Sequence, residues 1–404
     1  MDLNTLNSYI EYSLSGNFNY RTEGEKYFST IVLNSSTLEI LFNFLLNNQI
    51  PQKNKKFLAV FIKNYVINYF TNDSDQSFKE KEKIMNLDAI NYFKNSTFFL
   101  LQKIDDEDIA KLISAWIIEV YKVHKGYKLI WSDLIINLNG ILSNNDFLIN
   151  KRIYSMIAEF TNRYTTEIKS YRLFEEILDC MIICPNLTKD CNTYLSILLN
   201  LVSNKQYLNN VELQHEIRRT SQLITSIITI SFNFNSQDFP EFYEDNLEAW
   251  ITILLKSCNL IIYCPEIDEI IPLSTISLKM INKYFYCYFN DIKIYANNFI
   301  KELWQILENI DVSFIKFEPI LAELIEFYHT CLQYKYIEVL QENELNIILN
   351  KLAYPNLKLS QADIEEYKAD KVAFMKSEIE EIETNTSKLI INFQIKDLQL
   401  IYLK

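Results

Sequence analysis

Apolar residues recur along this chain at the spacing of α-helices. In three stretches they follow the i, i+3, i+4, i+7 pattern, and a fourth stretch, around Asn64, follows it partly. A helix buries such a side against its neighbours, so each stretch predicts an amphipathic helix within a larger packing. The four sets are Phe57, Phe61, Asn64, Val66 and Ile67; Ile109, Leu112, Ile113, Trp116, Ile117 and Val120; Phe299, Leu303, Ile306, Leu307 and Ile310; and Leu321, Leu324, Ile325, Tyr328, Cys331 and Leu332.

The spacing of these stripes predicts how the helices are arranged. The last two are joined by the short connection Asp311–Pro319, as expected for an antiparallel pair. Stacked helix pairs of roughly 40 to 47 residues are the HEAT or armadillo architecture, and a chain of 404 residues holds about nine of them. We therefore predict an all-α fold, a right-handed superhelical α-solenoid of HEAT-like pairs. Because no clear internal repeat is visible, periodicity alone leaves a compact helical bundle open.

Composition favours helices further. The chain has only 4 glycines and 7 prolines, so tight β-turns and glycine-dependent hairpins have little raw material. Phosphate-cradling loops need glycine as well, and no glycine-rich loop is present. We therefore expect that any GTP is held by a partner of this chain.

The formal net charge of −13 argues against sequence-nonspecific binding of nucleic acid, which needs clustered Lys and Arg, and favours a basic protein partner. Two polar segments stand out, Asn72–Lys83 and the acidic Leu359–Glu383. Solvated loops or helix faces explain both most simply, and partner contact is the alternative. The N-terminus lacks a signal peptide, and apolar runs such as Leu223–Ile230 are too short to span a bilayer, so no membrane insertion is expected.

Candidate chemistry is sparse. The 7 cysteines show no disulfide framework, which is typical of reduced and buried thiols. Cys180, Cys184 and Cys191 lack a fourth ligand, and none of the 3 histidines has a second ligand at metal spacing, so no metal or other cofactor is predicted. The carboxylates of Asp105, Asp106 and Glu107 precede a helical stripe and are interpreted as N-terminal caps. We predict a protein that is not an enzyme. The histidines are His124, His215 and His329, and the remaining cysteines are Cys258, Cys264, Cys287 and Cys331.

The most distinctive string is Gln237–Trp250, QDFPEFYEDNLEAW. Pro240 disfavours helix in the residue before it, so Phe239 should be extended. The acidic residues that follow suit the positive N-terminal end of a helix, and the segment therefore predicts a loop, a cap and a helix. These acidic residues are Glu241, Glu244 and Asp245.

This string resembles, nearly residue for residue, a segment of the CAS exportin family, the importin-α re-exporters of the importin-β superfamily. Leu352–Glu366, LAYPNLKLSQADIEE, resembles a second segment of that family, which runs through Pro-Asn into an acidic turn. Tyr20–Phe28 and Phe57–Phe70 are similar to the importin-β N-terminal domain, where Lys63, Asn64 and Tyr65 match a Lys-Asn-Tyr step. Trp131, Asp133 and Leu134 match a Trp-Pro-Asp-Leu step, with Ser132 in place of the proline.

The resemblance covers about residues 5–383 and implies three regions: 1–85, an importin-β-type N-terminal domain; 86–383, a HEAT-repeat region; and 384–404, a divergent tail. Because the family continues through a second half of repeats, the tail is expected to mark a truncation point. Gly24 stands where the family usually has Ala, a change that should weaken its helix by about 1 kcal/mol.

The resemblance implies a nuclear transport receptor that exports importin-α together with Ran bound to GTP. Such a receptor shuttles between nucleus and cytoplasm through the nuclear pore, with contacts to pore proteins and the nuclear envelope. The resemblance also implies a Ran contact at Lys63, Asn64 and Tyr65, for which inter-helix packing is the alternative. Acidic candidates for cargo binding, with helix caps and solvated loops as the alternative, are Asp238, Glu241, Glu244, Asp245, Asp363, Glu365 and Glu366. A static helical scaffold and a truncated product without transport activity remain competing functions.

Overall fold

The computed structural model describes residues 2–71, 87–122, 124–125, 128–129, 131–142, 146–203, 205–236, 240–310, 315–333, 365 and 367–372. Nearly all of the elements in these ranges are α-helices, which agrees with the all-α prediction. They are α1 Leu3–Ser13, α2 Phe18–Thr30, α3 Ser35–Leu46, α4 Gln52–Thr71, α5 Leu87–Lys103, α6 Glu107–Lys122, α7 Leu134–Leu142, α8 Phe147–Thr161, α9 Arg163–Thr166, α10 Tyr171–Cys180, α11 Cys184–Ser203, α12 Val211–Phe234, α13 Glu241–Asp245, α14 Leu247–Tyr263, α15 Ile270–Cys287, α16 Phe289–Ile292, α17 Ala296–Asn309 and α18 Glu318–Gln333.

Short elements complete the described part of the chain. Strands β1 His124–Lys125 and β2 Lys128–Leu129 pair antiparallel, with His124 opposite Leu129. Within the described ranges, four 3-10 helices lie at Met181–Ile183, Gln206–Asn209, Lys293–Tyr295 and Ile315–Phe317.

The chain divides into two compact units. The first comprises Met1–Glu167 and Tyr171–Ile183, and the second comprises Ile168–Ser170 and Cys184–Lys404. In the first unit, consecutive helices form the pairs α1/α2, α3/α4, α5/α6 and α7/α8. Each pair also packs on the next, α3 against α5, α4 against α6 and α6 against α8. The predicted domain boundary at residue 85 lies outside the described residues and stays a prediction.

The second unit repeats this arrangement. Helices α11 and α12 form one pair and α14 and α15 the next. One layer runs from α11 through α14 to α17, and the other runs from α12 through α15 to α18. Two layers of like helices stacked in sequence order are the packing of HEAT-type solenoids, in which each repeat buries its apolar face on its neighbours.

The three strong stripes lie where the pattern predicts. In α6 the side chains of Ile109, Ile113, Trp116, Ile117 and Val120 are buried, and that of Leu112 is half-buried. The stripe of α17 is buried throughout, and so is that of α18 as far as Cys331. The last two helices touch through the rings of Trp304 and Tyr328, whose centroids are 6.2 Å apart. Each of them, however, packs more widely on the preceding pair, α17 on α14 and α18 on α15.

Of the partial stripe predicted in α4, Val66 is buried, but the other four positions lie off the buried side of the helix. The buried side of this helix carries Leu58, Ala59, Ile62 and Val66, whereas Asn64 is exposed. The large rings of Phe57 and Phe61 obscured the pattern, because they are only half-buried and lie beside Phe28 of α2. A helix that contacts neighbours on two sides loses the clean periodicity that identifies its inner face.

Gly24 lies where α2 crosses α1. A Cβ atom at this position would be 2.6 Å from the Ser13 backbone nitrogen and 2.9 Å from the Tyr9 carbonyl oxygen. Both distances are shorter than van der Waals contact and involve backbone atoms, which cannot rotate away. Glycine therefore permits the close approach of α1 and α2, a role that helix propensity alone did not reveal.

The acidic run before α6 serves two purposes. Asp106 caps the helix as predicted, because its Oδ1 accepts a hydrogen bond of 2.9 Å from the Ile109 N–H. The carboxylate of Glu107 instead accepts a hydrogen bond of 2.7 Å from Nη2 of the buried Arg152. Arg152 also donates to the carbonyl oxygens of Leu101 and Ile104, at 2.9 and 2.8 Å, and so satisfies groups at the end of α5. The cap interpretation of Glu107 is thus incomplete.

The cysteines and the surface complete the picture. All seven thiols are free, and six are buried as predicted, but Cys287 at the end of α15 is exposed. The described residues hold no group of three or more His, Cys, Asp or Glu side chains placed to bind a metal ion. No helix in the described ranges combines the length and apolar character required to cross a bilayer.

Candidate functional site

A helix follows Pro240 in the acidic string, as predicted, but it is shorter than predicted. Pro240 has extended backbone, with φ −69° and ψ 140°, and precedes the short helix α13. A turn at Asn246 then separates α13 from α14, so one predicted helix is two. Phe239 and Asp238 lie outside the described residues.

Two aromatic side chains anchor this segment. Tyr243 and Trp250 are completely buried, and their ring centroids are 5.4 Å apart. The hydroxyl of Tyr243 lies 4.0 Å from the thiol sulfur of Cys184 and hydrogen-bonds Ser231. Burial raises the pKa of Tyr243 well above its ordinary value, so the hydroxyl stays neutral. The anchors fix the orientation of α13.

The opposite side of α13 is acidic. Glu241, Glu244 and Asp245 are exposed, and no ion pair found among the described residues involves them. Residues three and four apart share one side of a helix, so the three carboxylates form one surface, here termed the acidic surface. Such a surface attracts cationic groups. Of the other acidic candidates, Glu365 is exposed, and Asp363 and Glu366 lie outside the described residues.

The second candidate group lies on α4. Asn64 is exposed, whereas Lys63 and Tyr65 are half-buried. The hydroxyl of Tyr65 accepts a hydrogen bond of 3.4 Å from the Leu33 N–H, and its ring lies 6.2 Å from that of Phe61. The packing alternative therefore describes Tyr65, and Asn64 is the member of the group most open to a partner.

The Trp-Ser-Asp-Leu step is structural. Trp131 is fully buried, with its ring centroid 5.3 Å from that of Phe98. Leu134 is buried at the start of α7, and the Asp133 carboxylate accepts a hydrogen bond of 3.0 Å from the side-chain amide of Asn137. These contacts account for the Trp, Asp and Leu positions without a ligand.

A buried polar cluster in the first unit escaped the sequence analysis. Arg163 forms an ion pair with Glu176, and the Tyr164 hydroxyl donates a hydrogen bond of 3.1 Å to the same carboxylate. The hydroxyl oxygens of Tyr121 and Tyr164 each lie 3.4 Å from the Cys180 sulfur. Burial raises the pKa of Cys180, so the thiol is protonated and unreactive. These residues come from α6, α9 and α10, and no local sequence signal links them.

A second polar contact joins α15 and α18. The Asn282 side-chain amide donates to the carbonyl oxygen of Glu323 at 2.9 Å and to its carboxylate at 3.0 Å. Lys279 Nζ is 4.0 Å from the same carboxylate. Burial outweighs these favourable contacts and raises the pKa of Glu323 to about 7. Protonation of this side chain therefore changes near neutral pH.

Helix pairs stacked in two layers define an α-solenoid of the HEAT type. The family model described as Cse1 matches residues 160–400, more than half of the chain. The chain belongs to the Cse1 family.

Curated relatives agree with this assignment. The chain is 23% identical over 278 residues to the importin alpha re-exporter of Saccharomyces cerevisiae, a match covering 67% of this chain and 28% of that protein. It is 24% identical over 398 residues to exportin-2 of Danio rerio and 23% identical over 402 residues to exportin-2 of Homo sapiens. The last two matches each cover 96% of this chain and 39% of the relative. The chain therefore spans well under two thirds of the length of these relatives.

A solved structure supports the fold. The exportin Cse1 in its cargo-free, cytoplasmic state matches with a TM-score of 0.73 at 19% identity, over 99% of this chain and 42% of that chain. The predicted α-solenoid of HEAT-like helix pairs is confirmed, and so is the resemblance to the importin-α re-exporters. The described part of the chain holds four of the predicted pairs in the first unit, and in the second the pairs α11/α12 and α14/α15, on which α17 and α18 are stacked.

Proposed function

We propose that this chain is part of a nuclear transport receptor that exports importin-α from the nucleus in complex with Ran bound to GTP. The observation that carries the proposal is the Cse1 family match over residues 160–400, with relatives named importin alpha re-exporter and exportin-2. The receptor shuttles between nucleus and cytoplasm and contacts nuclear pore proteins on the way. It performs no chemistry, because GTP is bound and hydrolysed by Ran.

The fold suits such a cycle. A solenoid of stacked pairs is held by many small interfaces, so its curvature changes at low cost. Two ligands that both favour the same curvature bind cooperatively, because each one reduces the cost of the change for the other. Ran-GTP and importin-α are the two ligands in this proposal.

We assign the Ran contact to the side of α4 that bears Asn64, with Lys63 beside it. The half-buried position of Tyr65, bonded to Leu33, supports a role in holding α4 in place. An exposed amide and an adjacent ammonium offer hydrogen bonds to a partner surface.

We assign cargo binding to the acidic surface, together with Asp238, Asp363, Glu365 and Glu366. A basic segment of importin-α complements these carboxylates, which raises the association rate and the specificity more than the affinity. Because exposed charges are screened by salt, the interaction weakens as ionic strength rises.

A pull-down with purified proteins tests the proposal. Importin-α and Ran, the latter loaded with a nonhydrolysable GTP analogue or with GDP, are offered to the full chain. Retention of Ran in the GTP form alone, increased by importin-α, is the expected result. Equal retention in both nucleotide states favours the static scaffold, and no retention by a folded helical chain favours a product without transport activity.

Charge reversal tests the acidic surface. The double variant Glu241→Lys/Glu244→Lys should reduce importin-α retention and its dependence on salt. A matched control is Glu212→Lys/Glu216→Lys, which changes the charge equally at two exposed positions of α12. Equal loss in both variants would mean that only net charge matters and would remove the acidic surface from the cargo site.

A further inference from the structure

A cavity of about 290 Å³ opens in the second unit beside the ends of α14 and α17. Its walls are apolar and include Ile261 and Ile262 of α14, Ile306 of α17, Ile310 and Phe317. Four of these side chains, Ile261, Ile306, Ile310 and Phe317, are also part of the buried core, so the walls are firmly packed. The volume lies near the lower end of the roughly 300–1,000 Å³ of ligand pockets, which suits one large side chain better than an extended small molecule.

The rim of the cavity is polar: Glu266, Asn309 and Lys316 line it, and Asp268 lies beside Lys316. Glu266 and Asp268 of the α14–α15 connection are exposed, and Glu266 accepts a hydrogen bond of 3.4 Å from the Tyr207 hydroxyl. Helices α14 and α17 both end at this rim, and the C-terminal end of a helix carries partial negative charge.

One cation already lies at the rim. Lys316 donates a hydrogen bond of 2.9 Å to the Pro265 carbonyl oxygen, and its Nζ is 4.0 Å from the Asp268 carboxylate. Asp268 offsets part of its charge, and the ammonium also lies 4.9 Å from the centroid of the Phe317 ring, at the edge of the cavity. Glu266 and the two helix ends remain, and they leave the mouth attractive to a further cation.

We propose that this cavity receives one large apolar side chain of a partner protein segment in which a Lys or Arg stands next to that side chain. The apolar walls take the side chain, and the adjacent cation pairs with Glu266 and the helix ends. Basic segments suit the chain as a whole, whose formal net charge is −13. The site is separate from the acidic surface of α13 and goes beyond the export function proposed above, since it requires neither Ran nor importin-α.

Fluorescence anisotropy of the full chain with a labelled peptide, Gly-Ser-Leu-Phe-Lys-Arg-Ser-Gly, tests the proposal. Saturable binding is expected, with at least a tenfold loss when serine replaces both Leu and Phe of the peptide. Replacing Lys and Arg of the peptide by Glu should abolish binding, because the rim then repels the probe.

Two protein variants locate the site. Asn309 lines the cavity and is exposed, so Asn309→Trp should occupy the apolar space without removing a core residue and weaken binding at least tenfold. The control is Asn298→Trp, an exposed position at the other end of α17. Glu266→Gln should weaken binding by about two- to fivefold and reduce its dependence on salt. Glu248→Gln, at the far end of α14, should change neither.

Circular dichroism establishes that each variant is folded, so that lost binding is not lost structure. Equal affinity of the original chain and Asn309→Trp would overturn the proposal, because the probe would then bind elsewhere. Equal affinity for the serine-substituted peptide would overturn the apolar anchor, and absence of binding by the original chain would overturn the site itself.

Discussion

The substitution Gly24→Ala sets two effects of known size against each other. Helix propensity favours Ala over Gly by about 1 kcal/mol, so the sequence alone predicts a more stable α2. The structure predicts the opposite, because the new Cβ would be 2.6 Å from the Ser13 nitrogen and 2.9 Å from the Tyr9 oxygen.

No side-chain rotation can relieve the clash with these two backbone atoms. Both atoms belong to the backbone of α1, so α1 must move away from α2, which disturbs the stacked rings of Tyr9 and Tyr27 at 3.9 Å. Overpacking of this kind costs about 1–3 kcal/mol, which exceeds or at least cancels the gain in propensity. We expect a net loss of about 1 kcal/mol, concentrated in α1.

Amide hydrogen exchange measures the local stability of α1. A local measurement is needed because a repeat protein need not unfold in one step. In Gly24→Ala, the amides of α1 should exchange about fivefold faster, as 1 kcal/mol predicts. Gly140→Ala in α7 is the control, since nothing lies within 4 Å of its Cβ, and there exchange should slow. Unchanged or slower exchange of α1 in Gly24→Ala would refute the reasoning.

Three further predictions follow from buried or exposed single groups. The variant Arg152→Met leaves Glu107 and two carbonyl groups without their hydrogen-bond donor, so the free energy of unfolding should fall by about 3 kcal/mol. Arg172→Met changes an exposed position and should lower it little. Thermal unfolding compares the two variants. The pKa of Glu323 is raised from 4.5 to about 7, so the folded state binds the extra proton and stability falls as pH rises between these values. Glu323→Gln should therefore be the more stable chain above pH 7, and the advantage should vanish below pH 4.5; equal differences at pH 5 and pH 8 would contradict this. Among the described cysteines Cys287 alone is exposed and should react first with a thiol reagent, a fast phase that Cys287→Ser removes.

Much of the helical organisation was predictable because it is encoded locally. The buried stripes of α6, α17 and α18 repeat with the period of the helix, so consecutive residues reveal the inner face. The start of α13 after Pro240 was predictable for the same reason, since an X-Pro step restricts only its neighbours. Resemblance of short strings to the importin-α re-exporters then led to the family.

Local patterns failed where a side chain meets two environments. The inner face of α4 was predicted correctly only at Val66, because Phe57 and Phe61 are large and apolar yet only half-buried beside Phe28. Cys287 was expected inside and is exposed, because it is the last residue of α15, where the packing of that helix ends. In both cases residue type misrepresents burial.

The helices, most of their buried faces and the family could be predicted from the amino-acid sequence, because they depend on residues a few positions apart or on short strings of residues. Which distant groups meet became visible only in the folded chain. Arg152 and Glu107 are 45 residues apart, Gly24 meets α1, and the cavity combines α14 with α17. Such contacts depend on the distance and angle between helices, which are set by the packing of many side chains at once and leave no periodic signal in the chain.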